Sequence, residues 1–168
     1  MTTTFKTLYS AGGTAITLTG TSLANSSSLS TGYRQSASVD NTTNEYLDAH
    51  IFGHVKSGGT PTVNAIYTLF GYWSYDGGTT YSNNATGSDA AYTQPDSDQN
   101  MIVLATSVCT ATASLVSYFP PFSFCQKAGL LYLPSKWGII LKNGSGTALS
   151  ATSTDHVFAY QGINTQGV

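Results

Sequence analysis

Charge is what this chain has least of. Lys and Arg number 6 and Asp and Glu 8 in 168 residues, 8% together, and Glu45 is the single glutamate. No strong field of either sign is available to steer a polyanion or an acidic lipid surface, so nucleic acid is not an expected partner. Cysteine is almost as scarce. Cys109 and Cys125 are too few for a disulfide framework, and their spacing matches no zinc or redox motif. Two reduced thiols are expected, with one disulfide as the alternative. No run of about eighteen apolar residues exists to span a bilayer. The segment Met1-Thr-Thr-Thr-Phe-Lys6 lacks the basic stretch and apolar run of a signal peptide, so cytoplasmic synthesis and no membrane partner are expected.

The missing charge is replaced by Ser, Thr, Asn and Gly rather than by the Glu, Lys and Pro of disordered chains. Aromatic residues reach 12%, enough to build a core. Thr, Ser, Tyr, Val and Gly suit pleated sheets and tight turns better than helices. An all-β domain spanning residues 1–168 follows, long enough to fold without metal or disulfide help.

Thr2 to Leu18 reads as an extended arm or first strand, with residues 1–12 as the arm, Gly12-Gly13 as a turn and Thr14-Ala-Ile-Thr-Leu18 alternating after it. Gly20 to Gly32 is Ser-, Thr- and Asn-rich, a surface loop that is flexible or faces a ligand. The clearest strand is Glu45 to Lys56: Leu47, Ala49, Ile51, Gly53 and Val55 take a core face, and Tyr46, Asp48, His50, Phe52, His54 and Lys56 the other. Val63 to Tyr75 is apolar on both faces, as a central or interface strand would be, and Asp76-Gly77-Gly78 signals a hairpin leading into a meander. Met101 to Ala105 reads as a strand buried on both sides. Leu115 to Phe124 is broken by Pro120-Pro121 and belongs at an edge or a corner. Cys125 to Leu131 has some helical character. Trp137 to Lys142, Asn143 to Gly146 and Thr147 to Ala151 form a strand, a turn and a strand, and His156 to Gly162 is a closing strand. Roughly eight strands at this spacing predict an antiparallel β-sandwich of jelly-roll type. No internal repeat is found.

Chemistry-bearing clusters are sparse. Asp48, His50 and His54 share a strand face, where a metal is conceivable, but no Cys or third His lies near in sequence and an ordinary polar sheet face is preferred. A ring of such histidines at a symmetric contact would make assembly sensitive to mild acid. Asp155-His156 with a serine has no Gly-x-Ser-x-Gly elbow, so it is not read as a hydrolase triad. Asp89, Asp96 and Asp98 lack calcium-loop spacing, and one glutamate does not make a glycosidase pair. Gly12-Gly13 and Gly144-Ser-Gly146 are turns, not phosphate cradles. Neither catalytic residues nor a cofactor or metal are expected. The 11 Tyr and 2 Trp exceed what a sandwich core needs, and both residue types serve interfaces. Phe5, Leu8, Tyr9, Tyr72, Trp73, Tyr75, Tyr81 and Trp137 are the interface candidates, with core packing as the alternative for each ring and sugar stacking for Tyr72, Trp73, Tyr75, Tyr81 and Trp137.

Three segments, Thr2-Thr-Thr-Phe-Lys-Thr-Leu-Tyr-Ser-Ala-Gly-Gly13, Val39-Asp-Asn-Thr-Thr-Asn-Glu-Tyr-Leu-Asp48 and Leu133-Pro-Ser-Lys-Trp-Gly-Ile-Ile-Leu-Lys-Asn143, carry a resemblance that spans nearly the whole chain. The chain resembles small structural proteins of tailed-bacteriophage particles, some of which are jelly-roll decoration or cement proteins that sit as trimers on capsid lattices. The resemblance implies a non-enzymatic virion protein on the capsid surface, with the major capsid protein as partner and self-association as a homotrimer. It carries over no catalytic residue. The rival expectations are a tail or fibre component that contacts host-surface glycans and a virion-borne hydrolase.

Overall fold

Residues 5–95 and 101–167 are described by the computed structural model of the chain. The strands are β1 (Phe5–Tyr9), β2 (Thr14–Ala15), β3 (Tyr33–Gln35), β4 (Val39–Asp40), β5 (Asp48–Lys56), β6 (Ile66–Ser74), β7 (Ala90–Ala91), β8 (Ile102–Val108), β9 (Val116–Ser123), β10 (Lys136–Gly144) and β11 (Val157–Gly167), with one short helix, α1 (Phe124–Ala128). β5 forms where the period-2 pattern is cleanest, and Ala49, Ile51 and Val55 are fully buried on its inner side. Helix α1 is specified by its caps. The Ser123 hydroxyl accepts from the Gln126 N–H, and Gly129 closes the turn at φ 69.

All pairings are antiparallel and form two sheets, β1-β11-β5-β9 with β2 also on β11, and β7-β3-β10-β6-β8 with β4 also on β10. β3 and β4 are two pieces of one broken strand along β10. Take the eight principal strands β2, β3/β4, β5, β6, β8, β9, β10 and β11 in chain order. Neighbours then run first, eighth, third, sixth in one sheet and second, seventh, fourth, fifth in the other. That order is the double Greek key of a jelly roll. The inner faces meet in one cluster that joins Ile51, Phe119, Phe158 and Tyr160 to Tyr67, Leu69, Leu104, Trp137, Ile139 and Leu141.

The two-sided apolarity of β6 has a specific cause. Tyr67 and Leu69 point into the inter-sheet core, while Phe70 and Tyr72 point outward into a second cluster with Tyr33, Ile140, Ala85, Tyr92 and Met101. The segment after β6 therefore roofs the outer face of its own sheet. Arg34 Nε and the Thr19 hydroxyl hold that roof through Asp89, at 2.7 and 2.6 Å. The Tyr72 hydroxyl donates to the Ser36 carbonyl at 2.7 Å.

Four expectations are corrected. Asp76-Gly77-Gly78 turns the chain at φ 74 and 98 for the glycines, but the next strand, β7, pairs with β3 and not with β6, so no hairpin forms. Asn143 and Gly144 continue β10 opposite Tyr67 and Ile66 instead of turning. The reason is that the Asn143 amide is buried and employed: Nδ2 donates to the Leu23, Ala24 and Thr147 carbonyls at 2.9, 3.2 and 2.8 Å. The same bonds, with Gly146 N–H to Asn25 Oδ1 at 2.7 Å, staple down the polar loop that was expected to be flexible or to face a ligand, which corrects the first of those two readings. β8 ends its sheet, and of its side chains Leu104 turns into the core while Val103 and Val108 stay exposed, with no strand packed over them among the described residues. The edge position of Pro120-Pro121 agrees with expectation: they sit in β9, at the edge of the first sheet, within a register shift opposite Phe52.

The N-terminal segment is extended and folds back on its own chain. β1 pairs with Ile163 to Gly167 of β11, whereas β5 reaches only to Ile163, so a two-stranded ribbon leaves the sandwich at that end.

Candidate docking surface

Pairing register defines what the first sheet shows to solvent. Tyr9, Ile163 and Asp48 form one row across β1, β11 and β5; Gln161, His50 and Ser123 form the next across β11, β5 and β9. Ala15, Ala159 and Phe52 follow, then Val157, His54 and Tyr118, then Lys56 and Val116. The inner rows between them belong to the core. This outer face is not roofed by any segment among the described residues: Tyr118 is 67% exposed, and Tyr9, Val157 and Val116 are exposed around the half-buried Phe52, His50 and His54.

The rings on this face are paired locally. Tyr9 and His50 have centroids 6.4 Å apart, and His54 and Tyr118 5.7 Å. Its two charges are spoken for: Lys56 Nζ lies 3.2 Å from Asp155 Oδ2, and Asp48 accepts from the Ser123 hydroxyl at 2.6 Å and the Cys125 N–H at 3.0 Å. The face thus sets Tyr9, Ile163, Phe52, Val157, Tyr118 and Val116 among the polar His50, His54 and Gln161, with Lys56 ion-paired and Asp48 held by neutral donors. Contiguous patches of that kind on a folded surface mark contact sites.

The other predicted sites fall as follows. Tyr72 and Trp137 are 0% exposed, core residues of the second and first clusters, and are corrected as interface candidates. Trp73 is half-buried against Phe124 in an edge contact at 6.3 Å, and Tyr81 packs on Tyr72 at 5.6 Å with its hydroxyl 3.0 Å from Ser38 Oγ. Leu8 and Tyr9 are exposed on opposite faces of the ribbon, and Tyr75 is exposed at the end of β6. The Phe5 side chain, Asp96 and Asp98 lie outside the described residues. Asp89 is committed to Arg34 and Thr19. His156 Nε2 is 2.8 Å from the Ser150 carbonyl oxygen, not from a hydroxyl, and Asp155 binds the Ser150 hydroxyl at 2.6 Å. Both cysteines are free and buried, and burial pushes the Cys125 thiol up to about 12.

Among the described residues no three His, Cys, Asp or Glu side chains converge on a metal-sized site, and no helix is long and apolar enough to cross a membrane. Residues that the sequence reading missed are Tyr118, Val116 and Val157 on the strands and Tyr132 in the loop before β10. For the three strand residues the signal was parity: on β9 and β11 they occupy the face opposite to Phe119 and Phe158, a distinction that needs the strand pairing to become meaningful. Comparison with protein-family models, with curated proteins and with solved structures finds no match for this chain.

Proposed function

We propose that this chain is a non-enzymatic structural protein of a tailed-bacteriophage particle, a capsid decoration protein that lays the outer face of its first sheet on the major capsid protein and stabilises the shell. One observation carries the reading: the chain roofs the outer face of one sheet with its own 75–95 segment and, among the described residues, leaves the equivalent face of the other uncovered, with Tyr9, Tyr118, Val116 and Val157 exposed on it. A flat face of that kind gains free energy by covering a second flat surface, about 25 cal/mol for each Å² of apolar area removed from water. The β1/β11 ribbon extends the same face past the sandwich through Tyr9 and Ile163. The resemblance to virion proteins supports the capsid partner and the homotrimer.

The test is reconstitution on purified shells stripped of this protein, read by cryo-microscopy and by sedimentation of bound chain. Wild-type protein is expected to occupy lattice-repeated sites in contact with the first sheet. Tyr118→Asp and Val157→Asp, both at exposed positions, are expected to leave the melting temperature within about 2 °C and to abolish co-sedimentation. Density confined to the tail, or full shell binding by both variants, refutes the proposal.

A further inference from the structure

The end of the sandwich from which the ribbon leaves carries a second surface that is separate from the docking face. Tyr75, just past β6, and Tyr132, just before β10, are both more than half exposed and meet edge to face at 6.2 Å. Tyr75 leads out of β6 of the second sheet, and Tyr132 lies in the connection from β9 through α1 into β10 of that sheet. A shallow groove of about 430 Å³ lies on each side of the pair, one floored by Trp73 with Asp76 and Thr80 at its rim, the other lined by Tyr46 with Asn41 and Glu45.

The rims are polar and anionic. The Asp76 carboxylate accepts from the Ser74 hydroxyl at 2.6 Å and the Thr80 N–H at 2.9 Å, which fixes its position and holds it ionised, near 2. Glu45 is held in the left-handed region at φ 49, a conformation a non-glycine residue adopts at a cost. The cation at this end, Lys136, lies 2.6 Å from Asp40 and is neutralised there. Exposed rings beside a hydrogen-bond-fixed carboxylate, Asp76, and a second carboxylate, Glu45, match the two sides of a sugar: C–H faces stack on the rings and hydroxyls donate to the carboxylates. Two carboxylates, with Lys136 paired to Asp40, repel an acidic sugar.

We infer that the Tyr75 and Tyr132 pair with its two flanking grooves is a binding site for a neutral polysaccharide, with Asp76 and Glu45 as hydroxyl acceptors. The site adds an adhesive function to a chain whose other face serves the particle, and it does not depend on where in the particle that face docks.

Affinity electrophoresis of the isolated protein in native gels containing laminarin, dextran or galactomannan, with alginate as the acidic comparison, tests the assignment. Retardation by at least one neutral polymer and none by alginate is expected. Tyr75→Ala and Tyr132→Ala are expected to weaken it at least about tenfold, and Tyr75→Phe and Tyr132→Phe to retain it, because the ring face and not the hydroxyl makes the contact. Unchanged melting temperatures of the alanine variants show that the loss is local. Migration unaffected by all three neutral polymers, or retardation insensitive to both alanine variants, overturns the inference. Loss of shell binding by the alanine variants without any sugar binding also overturns it and assigns the end to protein docking.

Discussion

Replacing Asn143 by Ala tests the central claim about how the polar loop is held. The amide is fully buried, and its Oδ1 accepts from the Ser145 N–H at 3.2 Å and the Ser145 hydroxyl at 2.7 Å, while Nδ2 serves three carbonyls. Not every partner is lost with it. The Leu23 carbonyl also accepts from Leu149 N–H at 3.0 Å, and the Thr147 carbonyl from the Ser145 hydroxyl at 3.0 Å. The Ala24 carbonyl and the Ser145 N–H are left without a side-chain partner. Each group stranded in this way costs about 1–3 kcal/mol, so with the small cavity a loss of roughly 3–4 kcal/mol is expected. At this chain length that lowers the melting temperature by about 6–16 °C, provided unfolding is reversible. Urea titration followed by tryptophan fluorescence measures it, with the exposed Asn44→Ala as a control expected within about 0.5 kcal/mol. A loss below about 1 kcal/mol for Asn143→Ala refutes the hub, since the loop would then hold itself.

Two further outcomes follow from the interior and from the ion pairs. A Cβ at Gly53 falls on the Val157 backbone carbonyl, which no side-chain rotation relieves, so Gly53→Ala is expected to cost about 2–3 kcal/mol or more in thermal unfolding, and a near-neutral result contradicts the β5–β11 register. Four aspartates sit below the ordinary 3.8: Asp40 through Lys136, Asp76 through Ser74, Asp155 through Ser150, and Asp89, where burial pushes up but the bonds from Arg34 and Thr19 outweigh it. Because folded values lie below unfolded ones, their contribution is complete above about pH 4 and is lost as pH falls towards 2. The melting temperature is expected to fall across that window and to fall less in Asp89→Asn; parallel profiles for the two proteins refute the role of Asp89.

The fold class and several strands were legible because they rest on local signals. Period-2 alternation marked β5, paired prolines marked the edge strand β9, and helical character was noted over Cys125 to Leu131, where α1 (Phe124–Ala128) forms. The failures share one cause, which is that a local signal was spent on a tertiary contact. Asn143-Gly144 has turn chemistry, yet the amide is worth more as a buried donor to three carbonyls than at a turn, so the backbone stays in the ladder. Tyr72 and Trp137 have interface chemistry, yet Tyr72 is covered by a segment that lies 10 to 20 residues further along the chain, as Tyr92 shows, and Trp137 packs on Phe124 and Tyr160 at 5.0 and 5.1 Å. Tyr118 and Val157 carry no distinguishing local pattern. Which side of such a strand meets water depends on what the opposite sheet offers, and that is a property of the topology.

The distribution of the few charges connects fold to function. Arg34 with Asp89, Lys56 with Asp155 and Lys136 with Asp40 each join segments far apart in the chain, so three of the six cations hold loops to sheets instead of facing a partner. Partly exposed pairs contribute little stability one by one, about 0–1 kcal/mol, but they fix which loop lies over which face. Here they leave the roof over one sheet and keep the outer face of the other clear. With its cations so used, the bare face has apolar area and aromatic rings as its means of adhesion. Contacts made through those side chains are largely independent of ionic strength, which fits the proposed role on a particle.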